Sequence, residues 1–315
     1  MSLNFCHITP TAYLDIFATG RKCHLLLAHL VNEDEKYRQW YVKEKQRHNF
    51  TIILDNSAFE MFKRNQPMYD SNKLLDAANK CNADYVVMTD YPNEDYHKTI
   101  EKAKFTADVL LKNNFKPFFC PQSNKGDLEG LIKSYFWAKN DPRIRMIGFS
   151  ILAIPNAYGV LEDPLQRFLS RWRFVCELNK RGFFEDNTKK LHMLGMLDGP
   201  NEIGLMKEYL SEFSSWDSSA AVWAGLNGIE FDNTPTGLID GKFEKEDIIL
   251  KDIQSYIENT YGGHYVGKDQ VQIVDLWASL GNVDTTARDV AMKYLMRYGK
   301  KDGYNEKDLL KAIHY

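Results

Sequence analysis

Five apolar runs in this 315-residue chain end on polar groups, three of them carboxylates able to carry acid–base or nucleophilic chemistry. The run beginning at Phe50 stops at Asp55, and that from Asp84 stops at Asp90. The runs from Lys116 and Arg145 stop at Gln122 and Ser150, and "FSSWDS" (213–218) carries Asp217. Asp217 stands between Trp216 and two serines, ahead of the small-residue run in "SSWDSSAAVWAG" (214–225). A carboxylate in such surroundings can add covalently to an electrophilic carbon or relay a proton. The competing role for each of these residues is a helix cap or turn, which Asp and Ser also suit. Their repeated placement at run ends favours one shared site.

The elements needed to position them follow from the pattern of the chain. Besides these five, "CHLLLAHL" (23–30) and "KLHMLGM" (190–196) read as buried strands, and "LNGIEF" (226–231) offers an eighth. Helical spacing fills most of the intervals, as in "SNKLLDAANKC", "YHKTIEKAKFTADVLLKNN", "GDLEGLIKSYFWAKN", "PLQRFLSRWRFVCELNKRG" and "NEIGLMKEYLSEF". Continuous apolar strands alternating with helices predict a parallel sheet covered by helices. The number and length of the units predict an α/β fold of the (β/α)8 TIM-barrel type. A doubly wound sheet is less favoured, because no early GxGxxG follows a strand. In a barrel, C-terminal strand ends share one face, and Asp55, Asp90, Gln122 and Asp217 would surround one cavity. The barrel is expected over 1–245. Gly-rich turns and helical spacing mark a small helical domain or extension over 246–315.

Composition is that of a globular protein, with 44% hydrophobic and 26% charged residues. The formal net charge of −3 gives no general support to nucleic-acid binding, although a local basic face suffices for it. No apolar run reaches the roughly 18–20 residues of a membrane span, and the N-terminus lacks a basic-then-apolar leader. The five cysteines (Cys6, Cys23, Cys81, Cys120, Cys176) are scattered and include no CxxC pair. They read as reduced thiols, and the protein as cytoplasmic.

The motifs resemble, in order, those of the tRNA-guanine transglycosylase superfamily. "LDNSAFE" is similar to its DSGGFQ segment, and "VVMTDYP" to its strand-three motif. "FFCPQSN" is similar to VQGG, "IGFSI" to its glycine-containing fifth strand, and "LHMLGMLDGPNEI" to YLMGVGxPEDL. "SSWDSSAAVWAG" falls where the family carries FDxxxPTRxARxG. Replacement of DSGGFQ by Asp-Asn-Ser-Ala-Phe-Glu looks more like the phage DpdA-type branch, which puts 7-deazaguanines into DNA. The resemblance implies base exchange through a covalent enzyme–nucleotide intermediate, with Asp217 as nucleophile. Asp55 is assigned here as the proton acceptor for the incoming base. The resemblance implies base-edge recognition by Asp90 and Gln122, with Gln122 donating to O6 or N7. It adds an N–H near Gly148, apolar faces from Phe59 and Leu194, and close approach at Gly195. Implied partners are DNA, flipped or single-stranded, and a base such as preQ0. No cofactor is implied. The family's zinc cluster has no counterpart, since no cysteine follows Cys176, so no metal is expected. The tail resembles a small phage helical domain, with the host cytoplasm as the implied location. Alternatives are tRNA as the polymer, a non-catalytic barrel that binds nucleic acid or base, and a hydrolase of small nucleosides.

Other polar residues have plainer readings. His24 and His29 read as core or rim histidines, and Cys120 as buried. Lys63, Arg64, Arg167, Arg171, Arg173 and the basic residues of "RYGKKDGY" read as solvated faces. Asp198 and Glu202 read as a helix start.

Overall fold

The computed structural model describes residues 3–196 and 200–220, together with 222 and 226. Eight parallel strands close into a barrel in sequence order: β1 (Asn4–His7), β2 (Cys23–Leu27), β3 (Thr51–Asp55), β4 (Tyr85–Val87), β5 (Lys116–Phe119), β6 (Met146–Ser150), β7 (Lys190–Leu194) and β8 (Ser215–Ser218). The expected (β/α)8 class is therefore the observed one. The chain falls into two compact units, of which one, Phe5–Met196 with Leu205–Ser218, holds nearly all of the barrel. The other gathers Met1–Asn4, Leu197–Gly204 and Ser219–Tyr315. The helical domain expected over 246–315 lies outside the described residues, as do Asp198 and the tail's basic cluster.

One strand assignment is corrected. The eighth stave is Asn4–His7 at the start of the chain, not "LNGIEF" at 226–231. His7 pairs with His24 on β2, and the N–H of Ile8 donates to the Ser218 carbonyl at 3.2 Å, closing the ring against β8. A second correction follows from it. Cys6 and Cys23 lie on the adjacent strands β1 and β2, with Cα atoms 4.8 Å apart, and are joined by a disulfide. Only Cys81, Cys120 and Cys176 remain as thiols. Among the described residues no helix is long and apolar enough to cross a membrane.

Helices cover the outside of the barrel at the expected places: Ser71–Cys81, Tyr96–Lys112, Leu128–Asn140 and Pro164–Lys180. Each begins on an aspartate whose carboxylate accepts a backbone N–H of the first turn: Asp70, Asp95, Asp127 and Asp163. Asp34 does the same for Glu35–Arg47. A cap of this kind contributes about 1 kcal/mol.

Side chains alternate along each strand, so every second residue points into the barrel. Cys6, Cys23, Leu25, Ile53, Tyr85, Val87, Phe118, Cys120 and Met146 form one buried cluster, with Ile8, Leu27 and Leu194 packed against it. This apolar plug fills the middle of the barrel. The next inward step toward the C-terminal mouth is polar on several strands: Asp55 after Ile53, Gln122 after Cys120, and Asp217 after Ser215. Gly148 lies in β6 beside the plug. A Cβ there would sit 2.5 Å from Leu194 Cδ1 and 2.8 Å from Phe118 Cε2. We expect Gly148→Ala to lower stability by about 1–3 kcal/mol through overpacking. Leu194→Ala added to it should recover part of that loss, and a urea-denaturation double-mutant cycle measures the coupling.

Candidate active site at the barrel mouth

Asp217 is central. It lies on β8 and is 3% exposed. Its Oδ1 is 2.8 Å from His192 Nε2 and receives the Gly195 N–H at 3.0 Å. The other oxygen, Oδ2, has no hydrogen bond to any described residue. His192 is wholly buried on β7, and its Nδ1 lies 2.6 Å from Ser215 Oγ. Gly195 adopts φ = +76°, a conformation costly for any residue with a Cβ. That turn aims its N–H at Asp217. Its carbonyl accepts from Trp216 Nε1 at 2.9 Å and from an Arg171 amino group at 2.8 Å. Arg171 also donates to the carbonyls of Phe149 and Leu194, both at 3.1 Å. It is 1% exposed, which corrects its reading as a solvated face.

Asp90 follows β4 and is also buried. Its Oδ1 accepts from Asn56 Nδ2 at 2.7 Å, and its Oδ2 accepts from Gln122 Nε2. Asn56 is held in turn: its Nδ2 also reaches the Met88 carbonyl at 2.6 Å, and its Oδ1 receives the Ala58 N–H at 2.9 Å. Burial pushes the Asp90 carboxyl above the usual carboxylate range, and these amide donors pull it partly back. Gln122 directs its amide hydrogens to Asp90 and to Cys120 Sγ. What it leaves for a ligand is the acceptor Oε1, where donation was expected.

Asp55 closes β3 at the mouth. Its Oδ2 accepts the Ser57 N–H at 2.8 Å, so part of its role is the turn role foreseen for it. Burial pushes its carboxyl well above the usual range, and the nearby charges of Glu60, Asp90 and Asp217 raise it further. Strand order and direction put Asp55, Asp90 and Asp217 at the C-terminal ends of β3, β4 and β8, and the charges of Asp90 and Asp217 reach Asp55. Glu60, on the Ala58–Lys63 helix, is a fourth that the sequence reading did not single out. Ser57 stands at φ = +59° between Asp55 and that helix. Its Oγ accepts the His29 backbone N–H at 3.2 Å and lies 2.9 Å from His29 Nδ1.

The remaining expected residues divide. Leu194 ends β7, half-buried on the apolar plug, and Gly148 is accounted for by packing. Phe59 is 43% exposed on the Ala58–Lys63 helix, with the Lys63 ammonium 4.5 Å from its ring centre. Cys120 is buried, as read, and burial raises its thiol well above the usual range. His24 is enclosed by the rings of Phe50, Tyr41 and Trp40, and burial lowers it to about 3, leaving it neutral. Ser150 caps a turn, accepting from Leu152 and Ala153 N–H groups. Among the described residues no group of three or more His, Cys, Asp or Glu side chains could hold a metal ion.

No family model and no curated protein matches this chain. Solved structures similar to it include the citrate synthase SbnG, at 12% identity and TM-score 0.46, covering 72% of this chain and 90% of that one. A mutant tryptophan synthase alpha-subunit from the hyperthermophile Pyrococcus furiosus aligns at 13% identity and TM-score 0.43, over 71% and 92% of the two chains. Triosephosphate isomerase from Bartonella henselae aligns at 11% and 0.41, over 70% and 93%. At such values the likeness says nothing about activity.

The raised Asp55 carboxyl sets a stability trend. An unfolded aspartate titrates near ~3.9. Between that value and its higher folded value, the native state binds a proton that the unfolded chain releases. Stability from this group therefore falls as pH rises through the window. Asp55→Asn removes the titration and still offers an acceptor to Ser57. We expect the variant to match wild type near pH 4 and to exceed it at pH 8 by about 1 kcal/mol or more. Urea midpoints at both pH values, taken as differences from wild type, measure this.

Proposed function

We propose that the protein is a base-exchanging transglycosylase that replaces guanine in DNA with a 7-deazaguanine such as preQ0. The observation that carries this reading is the division of labour among three carboxylates, Asp90 and Asp217 buried and Asp55 half-buried. Asp217 has one oxygen without a hydrogen bond to any described residue, Asp55 has a raised proton affinity, and Asp90 is fixed by amides. These are the states needed of a nucleophile, a proton carrier and a recognition group.

In the first half-reaction, Oδ2 of Asp217 adds to C1′ of the target nucleotide. The C1′–N9 bond breaks, its electron pair leaves with guanine, and Asp55 supplies the proton. In the second half, the incoming base gives its N9 proton to Asp55 and attacks C1′. The C1′–Oδ2 pair then returns to the Asp217 carboxylate. Two displacements on one carbon retain its configuration, as in retaining glycosidases. An elevated carboxyl suits Asp55 to be acid first and base second. Asp90 and Gln122 Oε1 present acceptors, which suit the N1–H and exocyclic amine of a guanine-like base. Adenine offers an acceptor at N1, which would face the acceptors of Asp90 and Gln122 with no proton between them, a basis for rejection. A duplex nucleotide reaches such a mouth only when flipped or single-stranded. Exposed Phe59 and Phe62, beside Lys63 and Arg64 on the rim, suit stacking and phosphate contact.

The test is incubation with guanine-containing DNA and a labelled 7-deazaguanine, with tRNA in parallel. Label is expected in DNA. Asp217→Ala should reduce incorporation by at least about a thousandfold and abolish the covalent adduct. Asp217→Asn should keep nucleic-acid binding. Incorporation into tRNA alone would change the polymer, and none into either would remove the reading.

A further inference from the structure

The nucleophile proposed above does not stand alone. A buried chain runs Ser215 Oγ, His192 Nδ1, His192 Nε2, Asp217 Oδ1, with links of 2.6 and 2.8 Å. The Gly195 N–H meets the same Oδ1 at 3.0 Å. The arrangement resembles a serine–histidine–aspartate relay, but Ser215 is only 4% exposed, and it is the aspartate whose second oxygen has no hydrogen bond to a described residue. Ser215 can donate its hydroxyl proton to Nδ1. That makes Nδ1 the acceptor and places the ring proton on Nε2, facing Asp217. The Phe118 ring packs against the imidazole in a T-shaped arrangement, ring centres 5.5 Å apart, and restrains its tilt.

We propose that His192, steered by Ser215, is a positioning residue that reserves Oδ2 of Asp217 for attack and hastens breakdown of the covalent intermediate. The inference rests on the transglycosylase reading. When Oδ2 bonds to C1′, Oδ1 becomes the carbonyl oxygen of the ester. Two N–H donors, from His192 and Gly195, already point at it. As the C1′–Oδ2 bond breaks, its electron pair returns to the carboxylate, and the two donors receive the charge that spreads onto Oδ1. They therefore stabilise the leaving carboxylate more than the ester, in the manner of an oxyanion hole. The same donors restrain the carboxylate before attack, so the intermediate forms without accumulating.

The test separates the two half-reactions. Rapid-quench samples of wild type, His192→Phe, His192→Gln and Ser215→Ala are run with guanine-containing DNA and labelled preQ0. Denaturing gels measure the adduct, and incorporated label measures exchange. For His192→Phe the expected result is exchange slowed about a hundredfold, with a larger fraction of enzyme held as adduct. His192→Gln restores a donor and should recover part of the release rate. Ser215→Ala should shift both readouts the same way by a smaller factor. Equal slowing of adduct formation and release, or unchanged exchange, would overturn the proposal. Should His192→Phe not fold, the Gln and Ala variants decide by the same criterion.

A second measurement is independent of turnover. In ¹⁵N-histidine NMR of the wild-type protein, the His192 proton is expected on Nε2, with a resonance that moves in Asp217→Asn. A proton on Nδ1 alone overturns the proposal whatever the activity. A wild type that exchanges no base while showing the Nε2 proton would overturn the reaction, and the release role with it, while leaving the pairing intact.

Discussion

Asp90 is held by two amides rather than by a cation, and the rest of the mouth depends on that choice. An arginine or lysine there would neutralise the carboxylate and lower its proton affinity. Asn56 and Gln122 instead each donate to one of its oxygens, leaving further acceptor capacity and its charge to act on its neighbours. Burial over the apolar plug raises the proton affinity of Asp55, and the charge of Asp90 adds to that. Amides are also directional. Asn56 is itself pinned by Met88 and Ala58, so the Asp90 carboxylate cannot swing away from the mouth. A recognition surface built this way is rigid before any ligand arrives, which limits the entropy lost on binding.

Restraint by directional hydrogen-bond donors recurs on the opposite wall. One oxygen of Asp217 is held by a histidine and a backbone N–H, and neither satisfies the second oxygen. The barrel permits this asymmetry because β7 and β8 are in parallel register, with His192 opposite Ser215 and Met193 opposite Trp216. Inward residues of one strand thus lie against inward residues of the next. Alternation, which elsewhere packs apolar side chains, here lines up serine, histidine and aspartate.

Much of this was legible in the sequence. Long apolar runs and helical spacing marked seven staves and the major helices, and the polar run ends marked Asp55, Asp90, Gln122 and Asp217. What escaped notice had physical reasons. The strand Asn4–His7 is only four residues long and has two polar residues, so no periodicity could establish itself. Missing it hid the partner of Cys23 and made a later run look necessary. His192 sits in an apolar run and gains meaning only from strand register, which one sequence does not display. Arg171 was different, because its signal was present. It shares a helical stripe with Phe168, Phe174, Val175 and Leu178, all buried, and a charge on that stripe was bound to face inward.

Arg171 also alters how the outer layer should be regarded. The helices of a barrel are commonly treated as exchangeable packing, with specificity assigned to the loops. Here a guanidinium from the Pro164–Lys180 helix grips the carbonyls of Phe149, Leu194 and Gly195. The backbone corner beside the nucleophile is therefore tied to a segment some distance away in the chain. Transplanting this mouth onto another scaffold would mean carrying that helix across with its arginine, since the β6 and β7 loops alone would arrive without their anchor.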